Sequence, residues 1–425
     1  MTTGMRERLL LLGAGLAAFG ASLASGFHFD DYAIFADPLL RSPMGWLEVW
    51  APRQTRPLAY FTFWLNQQIG GGDPLGYHLF NLALHLGAIL LAWKCLRQLI
   101  GERAGFIAAL IFAIHPLQAE AVNYVWARPI LLAALLCFAS LAAGARVVWA
   151  TAVTPGAPAG FQAGISPGRY LLAQGPVILR YLQLLAVPYG FTVDPDMRVA
   201  AWVAVLAWVI LGAALVLLLR RAGSQAWVTW AVAGLLLLIP SSSIFPAADL
   251  AVDRRMYLPM FAFAAAAGLL LARVRSWSAM GAIGVVLVGL SMERSYVWMS
   301  DARLWSEAAE RAPAKMRPTI QLARALPAAK ALDLLGKARE QYPYEAAIPA
   351  ETGRILLAEG QPDAALAEFG RALALNPGDA RYVNNRGAAL MALGQMEAAL
   401  ADFERALRMD PNLAEAKENL ARLAK

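Results

Sequence analysis

The chain has 425 residues, 59% hydrophobic and 16% charged, with mean hydropathy +0.49 and a formal charge of +7. A soluble globular domain carries about 25% charged residues, so this composition describes a polytopic membrane protein and excludes one large soluble core. The modest basic excess fits cytoplasmic arginines and anionic lipid rather than nucleic acid, and Cys95 and Cys137, each inside an apolar run, speak against a disulfide framework or a cysteine metal site.

Arg6 and Arg8 precede the first apolar run, which ends near Phe27. It reads either as a signal peptide cleaved near Ala21 to Ser25 or as a retained anchor. The run leads straight into FHFDDY, residues 27–32. A carboxylate near a membrane is costly unless it is paired or used, so Asp30 and Asp31 form the first candidate catalytic pair. A solvated loop is the alternative.

The next block, RPLAYFTFWLNQQIGGGDPLGYHLFNLALH, holds Arg56, His78, Asn81 and His85. The last three stand at i, i+3 and i+7 and share one helix face. No acidic ligand stands at matching spacing, which favours a hydrogen-bonding stripe over a metal site. HPLQAEAVNYVWARP then brings His115, Glu120, Asn123 and Arg128.

With the first run, further spans predicted near 76–98, 103–116, 128–146, 147–164, 201–219, 226–240, 256–273 and 277–293 make about nine. The stretch 147–164 is the weakest, because its Pro and Gly residues need neighbouring helices to cover the backbone groups they free. Arg6 and Arg8, Lys94, Arg97 and Arg103, Arg146, Arg220 and Arg221, and Arg273 and Arg275 fall at alternate turns. Positive residues favour the cytoplasm, so the N-terminus is expected inside and the C-terminus outside, provided 147–164 crosses once. Loops 27–75, 116–127, 165–200 and 241–255 are then extracytoplasmic, away from cytosolic nucleotide sugars.

In RYLLAQGPVILRYLQLL (169–185), Arg169 and Arg180 sit among apolar residues, as in a helix lying in the headgroup layer. Contact with lipid phosphate and ordinary anchoring are both open. VDRRMYLP supplies Asp253, Arg254, Arg255 and Tyr257. Two external arginines side by side run against the positive-inside bias. They suit a phosphate, which matches the guanidinium fork, or a salt-bridge lock with Asp249 or Asp253.

After Trp298 the sequence becomes charged and alanine-rich. Gly360 and Gly394, Phe369 and Phe403, and Pro377 and Pro411 repeat at the same interval, and Pro343 fits it too. That spacing, of about 34 residues, is the tetratricopeptide signature. The expected boundaries are a membrane domain over 1–298 and an extracytoplasmic repeat domain over 299–425. Clear repeats occupy 350–411, a degenerate one 317–349 and a capping helix 412–425. The repeats hold a peptide or protein partner in their groove, or serve as a scaffold.

FDDY, the RPL…GYH..N..LH block, the HP..AE.V..V..R block, IPSSSIFP and AVDRRMYLP occur in that order before the repeats. Together they resemble the transmembrane-and-tetratricopeptide-repeat O-mannosyltransferase family in its bacterial form, within the GT-C class of lipid-phosphosugar glycosyltransferases. The resemblance covers nearly the whole chain. It implies an all-α, GT-C-like membrane domain of about nine spans with a tetratricopeptide α-solenoid, in a bacterial plasma membrane. It also implies a polyprenyl-phosphate sugar as donor, a Ser or Thr hydroxyl of an exported protein as acceptor, and inversion at the anomeric carbon.

By position, Asp30 and Asp31 match the family's acidic pair, with Asp30 as base and Asp31 orienting the acceptor, or the reverse. Arg254 and Arg255, then Arg169 and Arg180, are expected to meet the donor phosphate. Arg56, His78, Asn81, His85, His115, Glu120, Arg128 and Tyr257 are expected to line the site. No metal or cofactor is required, because arginines supply the electrostatic stabilisation. The chain departs from the pattern at Pro129, where an acid usually follows the arginine, at Asp253, where the family favours glutamate, and in a short 147–168 region. Transfer to a lipid or polysaccharide acceptor and a non-catalytic repeat scaffold are the other two functions.

Overall fold

The structure is a computed structural model that describes residues 3–51, 54, 56–139, 166–222, 225–239, 242, 249–274 and 276–423. Within those residues the regular elements are all helical. The chain divides into two compact units, Met1–Leu304 and Trp305–Lys425.

Among the described residues, four helices are long and apolar enough to cross a membrane: Gly4–Ala24, Pro74–Ile100, Ala201–Arg221 and Trp277–Val297. A fifth crossing exists if Glu102–Ile114 and Pro116–Asn123, bent by 50° at His115, form one broken span. These helices mark an integral membrane protein and correct the expectation of about nine spans. The apolar helices Ala226–Leu238 and Tyr257–Leu271 have 13 and 15 residues. At 1.5 Å per residue they reach about 20 to 23 Å, short of a hydrocarbon core of about 30 Å. The stretch 147–164, Arg146 and most of IPSSSIFP lie outside the described residues. The alternation of basic turns therefore no longer fixes the side of each loop by counting.

Tyr257–Leu271 illustrates why the count was too high. It is apolar along its length because protein covers most of it: Met260, Ala264, Ala265 and Gly268 are among its buried residues. A Cβ added at Gly268 would lie 2.5 Å from the Ala104 carbonyl oxygen and 2.7 Å from Ala108 Cβ. The two backbones thus touch directly, as small residues allow between membrane helices. The first helix is packed into the same core, with Leu11, Ala18 and Phe19 buried.

Pro116 ends the helix Glu102–Ile114 and leaves its last carbonyls without helical partners. Side chains replace them. His85 Nε2 lies 3.2 Å from the Ala113 oxygen, Ser291 Oγ donates to Ile114 at 2.5 Å, and Gln118 Nε2 donates to Phe112 at 3.4 Å. His115 Nδ1 accepts the Leu117 N–H at 3.2 Å. The break turns residues 116–127 back toward the N-terminal loop.

In the second unit, Ala347–Ala358 pairs with Pro362–Leu375 and Ala380–Ala392 with Met396–Met409, and Ala414–Leu423 covers the last pair. Met316–Ala325 and Ala328–Gln341 form the degenerate earlier pair. Gly387 lets its helix lie on Phe403, where a Cβ would meet the ring at 2.8 Å, and Gly353 does the same against Phe369.

Candidate active site

The FHFDDY segment is anchored at both ends. Phe27 is buried, its ring 5.4 Å edge-on from Tyr77 and stacked 6.4 Å from His78. Phe29 adopts φ +46°, the sole positive φ at a non-glycine residue among those described. A bulky residue there is uncommon. The kink starts the helix Asp31–Ala36 and gives the two neighbouring acids opposite surroundings.

Asp31 is fully buried. Its Oδ2 accepts the His28 N–H at 3.0 Å and its Oδ1 the Trp126 N–H at 2.7 Å. Burial pushes its carboxyl up to about 7, against the lowering effect of those bonds. Asp31 therefore staples the N-terminal loop to the turn Val125–Ala127. Asp30 is exposed and accepts the Tyr124 hydroxyl proton at 3.1 Å.

One arginine approaches Asp30 directly, and a second lies against its partner Tyr124. Arg56 lies over the Trp126 ring at 5.9 Å. Burial weakens its charged form, and Tyr60, Arg254, Asp30 and Tyr124 are its electrostatic neighbours. Arg254 lies over the Tyr124 ring at 5.5 Å, donates its backbone N–H to Glu120 at 3.1 Å and pairs its guanidinium with the same carboxylate. Burial opposes the Arg254 charge, but Glu120 and Tyr124 more than offset it and hold its pKa above the usual value. Burial, then Asp30 and Asp31, raise the Tyr124 phenol. Asp30, Tyr124, Arg56, Arg254 and Glu120 thus share one locale of coupled charges.

A second group adjoins it through Glu120, which acts electrostatically on Arg180. Arg180 pairs with Asp253 at 2.8 Å. It also lines a groove of about 460 Å³ whose walls include Pro176, Leu179, Val203, Leu206 and Ile210. Arg255 donates to the carbonyls of Leu250 and Asp249 at 2.9 and 2.8 Å. Arg169 is exposed at the start of the helix Pro167–Ala186, where its N–H meets Ser166 Oγ. The salt-bridge lock exists with other partners than the sequence suggested: Glu120 holds Arg254, and Arg180 holds Asp253.

The remaining predicted lining residues are buried and tie helices together. Arg128 has no exposed surface. It donates to Asn81 at 2.8 Å, Asn66 at 2.7 Å, Thr62 at 3.2 Å and the Tyr77 carbonyl at 3.0 Å, between the rings of Phe63 and Phe80. Asn81 also donates to the Tyr124 carbonyl at 3.1 Å. His78 Nε2 lies 3.0 Å from the Gly26 carbonyl, His85 Nδ1 lies 2.7 Å from the Tyr257 hydroxyl, and His115 Nε2 lies 3.1 Å from the Leu185 carbonyl. The stripe on Pro74–Ile100 is a set of hydrogen-bonding fasteners. Among the described residues no group of three or more His, Cys, Asp or Glu is arranged to hold a metal.

Sequence reasoning missed Tyr124 and His28. Tyr124 stood inside VNYVW without a charge to draw notice. His28 stood inside the quoted FHFDDY, and as one of four histidines in the chain it was the available signal.

Residues 351–414 match a tetratricopeptide-repeat family. The chain is 30% identical over 156 residues to Protein O-mannosyl-transferase F38B6.6 of Caenorhabditis elegans, covering 32% of this chain and 23% of that protein. It is 34% identical over 144 residues to human Protein O-mannosyl-transferase TMTC1, covering 30% and 16% of the two chains. Identity reaches 47% over 68 residues with Drosophila melanogaster Protein O-mannosyl-transferase Tmtc1, covering 16% and 8%. The chain spans less than a quarter of the length of these curated relatives.

Proposed function

We propose that the chain is a membrane glycosyltransferase that moves a sugar from a polyprenyl-phosphate donor to a Ser or Thr hydroxyl of a protein, with inversion. The observation that carries this reading is the exposed Asp30 carboxylate, steered by the Tyr124 hydroxyl beside Arg56 and Arg254, in a chain similar to O-mannosyl-transferases. An exported protein as acceptor and an extracytoplasmic site in a bacterial plasma membrane belong to the same proposal.

Asp30 accepts the proton of the acceptor hydroxyl as its oxygen bonds to the anomeric carbon. The bond from that carbon to the phosphate oxygen breaks on the opposite face, and its electron pair leaves with the polyprenyl phosphate. Arg56 and Arg254 meet the charge that grows there. They take precedence over Arg255, which is engaged by carbonyls, and over the exposed Arg169. The apolar groove beside Arg180 receives the lipid chain. Asp31 serves the reaction by fixing the loop. The repeats bind the acceptor polypeptide, or a partner, and raise its local concentration.

The test uses the purified full-length chain in nanodiscs with polyprenyl-phosphate mannose and either a Ser/Thr peptide or an exported protein. Asp30→Asn is expected to lower transfer by roughly 10²- to 10⁴-fold. Removing 305–425 is expected to depress protein modification more than peptide modification. Wild-type rates in Asp30→Asn would refute the catalytic assignment, and equal losses on both acceptors would refute acceptor capture. Label found in lipid or glycan alone would point to another acceptor class.

A further inference from the structure

We infer that His28 is a positioning residue, protonated on both ring nitrogens, whose two bonds to the turn Trp298–Asp301 hold the kink at Phe29 and keep Asp30 facing the site. The catalytic consequence rests on the proposed role of Asp30; the protonation state and the clamp stand apart from it.

His28 is 1% exposed. Its Nδ1 lies 2.6 Å from Asp301 Oδ1, and its Nε2 lies 2.6 Å from the Trp298 carbonyl oxygen. A carboxylate and a carbonyl are both acceptors. A neutral imidazole has one N–H and would leave one ring lone pair against an oxygen lone pair at 2.6 Å, too close for water to intervene. An imidazolium donates to both. The other three histidines differ. His115 Nδ1 accepts the Leu117 N–H, which requires it to be unprotonated. Among the described residues His78 Nδ1 has no hydrogen-bond partner, and His85 Nδ1 faces the Tyr257 hydroxyl, which can donate. Among the described residues, the titratable groups facing His28 are Asp301 at the start of Asp301–Arg311, Asp31 on its own loop and the uncharged His78 on Pro74–Ile100.

The clamp has a load to bear. A left-handed conformation at a bulky residue is strained and persists only where surroundings over-determine it. On one side of Phe29, His28 is pinned to Trp298 and Asp301. On the other, Asp31 accepts the His28 N–H, and the Asp31 N–H returns to the His28 carbonyl at 2.8 Å. The Phe29 ring lies edge-on to Tyr124 at 5.8 Å and to Trp298 at 6.3 Å. Release of His28 frees Phe29 to relax to negative φ, which rotates Asp30 away from Tyr124.

The experiment is nitrogen-15 histidine NMR of the full-length chain in nanodiscs, where four histidines make assignment tractable. At pH 7 one ring is expected with both nitrogens protonated, and His28→Gln is expected to remove it. Asp301→Asn removes the carboxylate 2.6 Å from Nδ1 and is expected to move the Nδ1 resonance of that ring while leaving its Nε2 resonance in place. A neutral His28 ring, or a Nδ1 resonance unmoved in Asp301→Asn, would overturn the clamp. In an active preparation, His28→Gln is expected to lower kcat at least tenfold with unchanged KM for polyprenyl-phosphate mannose; unchanged kcat would overturn the positioning role. A wild-type chain with no transferase activity would defeat the proposed function and leave the NMR result to decide the clamp.

Discussion

Asp31→Asn separates the two acids, because its effect on stability is expected to change with pH. In the folded chain both Asp31 oxygens accept backbone N–H groups, from His28 and Trp126. Asparagine offers one oxygen and turns an amide NH₂ toward the other N–H. One bond is lost and one donor is left buried, at about 3 kcal/mol together. Against this stands the cost of ionising Asp31 in its buried place. Its pKa rises from 3.8 to about 7 on folding, a difference of about 3 units or roughly 4 kcal/mol at about 1.4 kcal/mol per unit. The folded pKa is the higher one, so between these values the native chain keeps a proton that the unfolded chain has lost. Stability is therefore full below pH 3.8 and falls as pH rises to about 7. Asparagine does not titrate. The variant is expected to be about 3 kcal/mol less stable than wild type below the unfolded pKa, about 1 kcal/mol less stable at pH 5, and about 1 kcal/mol more stable at pH 8. Tryptophan-fluorescence unfolding in one detergent from pH 4 to 8 reads this, since all other titrations are common to both proteins. Parallel stability curves over that range would show that Asp31 does not carry the raised pKa.

Two further substitutions test the packing. Arg128→Ala orphans the acceptors at Asn81, Asn66, Thr62 and Tyr77, and is expected to cost about 3–5 kcal/mol, read as a lower unfolding midpoint in detergent; a shift under 1 kcal/mol would mean that water reaches those groups. Gly387→Ala drives a Cβ to 2.8 Å from the Phe403 ring and 3.1 Å from Asp402 Cβ. It is expected to cost about 1–3 kcal/mol and to speed hydrogen exchange in Ala380–Ala392 and Met396–Met409 while Pro74–Ile100 stays protected.

The repeat unit was legible because its signals are local and periodic: Gly353, Phe369, Gly387 and Phe403 touch partners within their own repeat. The span count was not. Hydropathy scores Tyr257–Leu271 as it would a lipid-facing helix, although most of its residues pack against protein. Much of the candidate site was on the sequence-derived roster, since Asp30, Arg56, Glu120 and Arg254 are charged and stand in recognisable blocks. Their pairing was hidden. Arg254 passes over its neighbour Asp253 for Glu120, 134 residues away, and Asp253 takes Arg180. The split between Asp30 and Asp31 depends on one backbone angle at Phe29 and on the Trp126 N–H, neither of which adjacent letters in FHFDDY disclose.

The break at Pro116 bears on how descendants of this chain would age. Once a helix ends within a packed protein core, His85, Gln118 and Ser291 are needed to satisfy its frayed carbonyls whether or not any sugar is ever moved. A lineage that gave up the reaction would be free to drift at Asp30 and Arg56 yet would still retain that polar trio. Retention of the trio is thus a record of folding, and under the proposed mechanism the test of a working enzyme in any such descendant lies in the solvent-facing acid and its cationic neighbour.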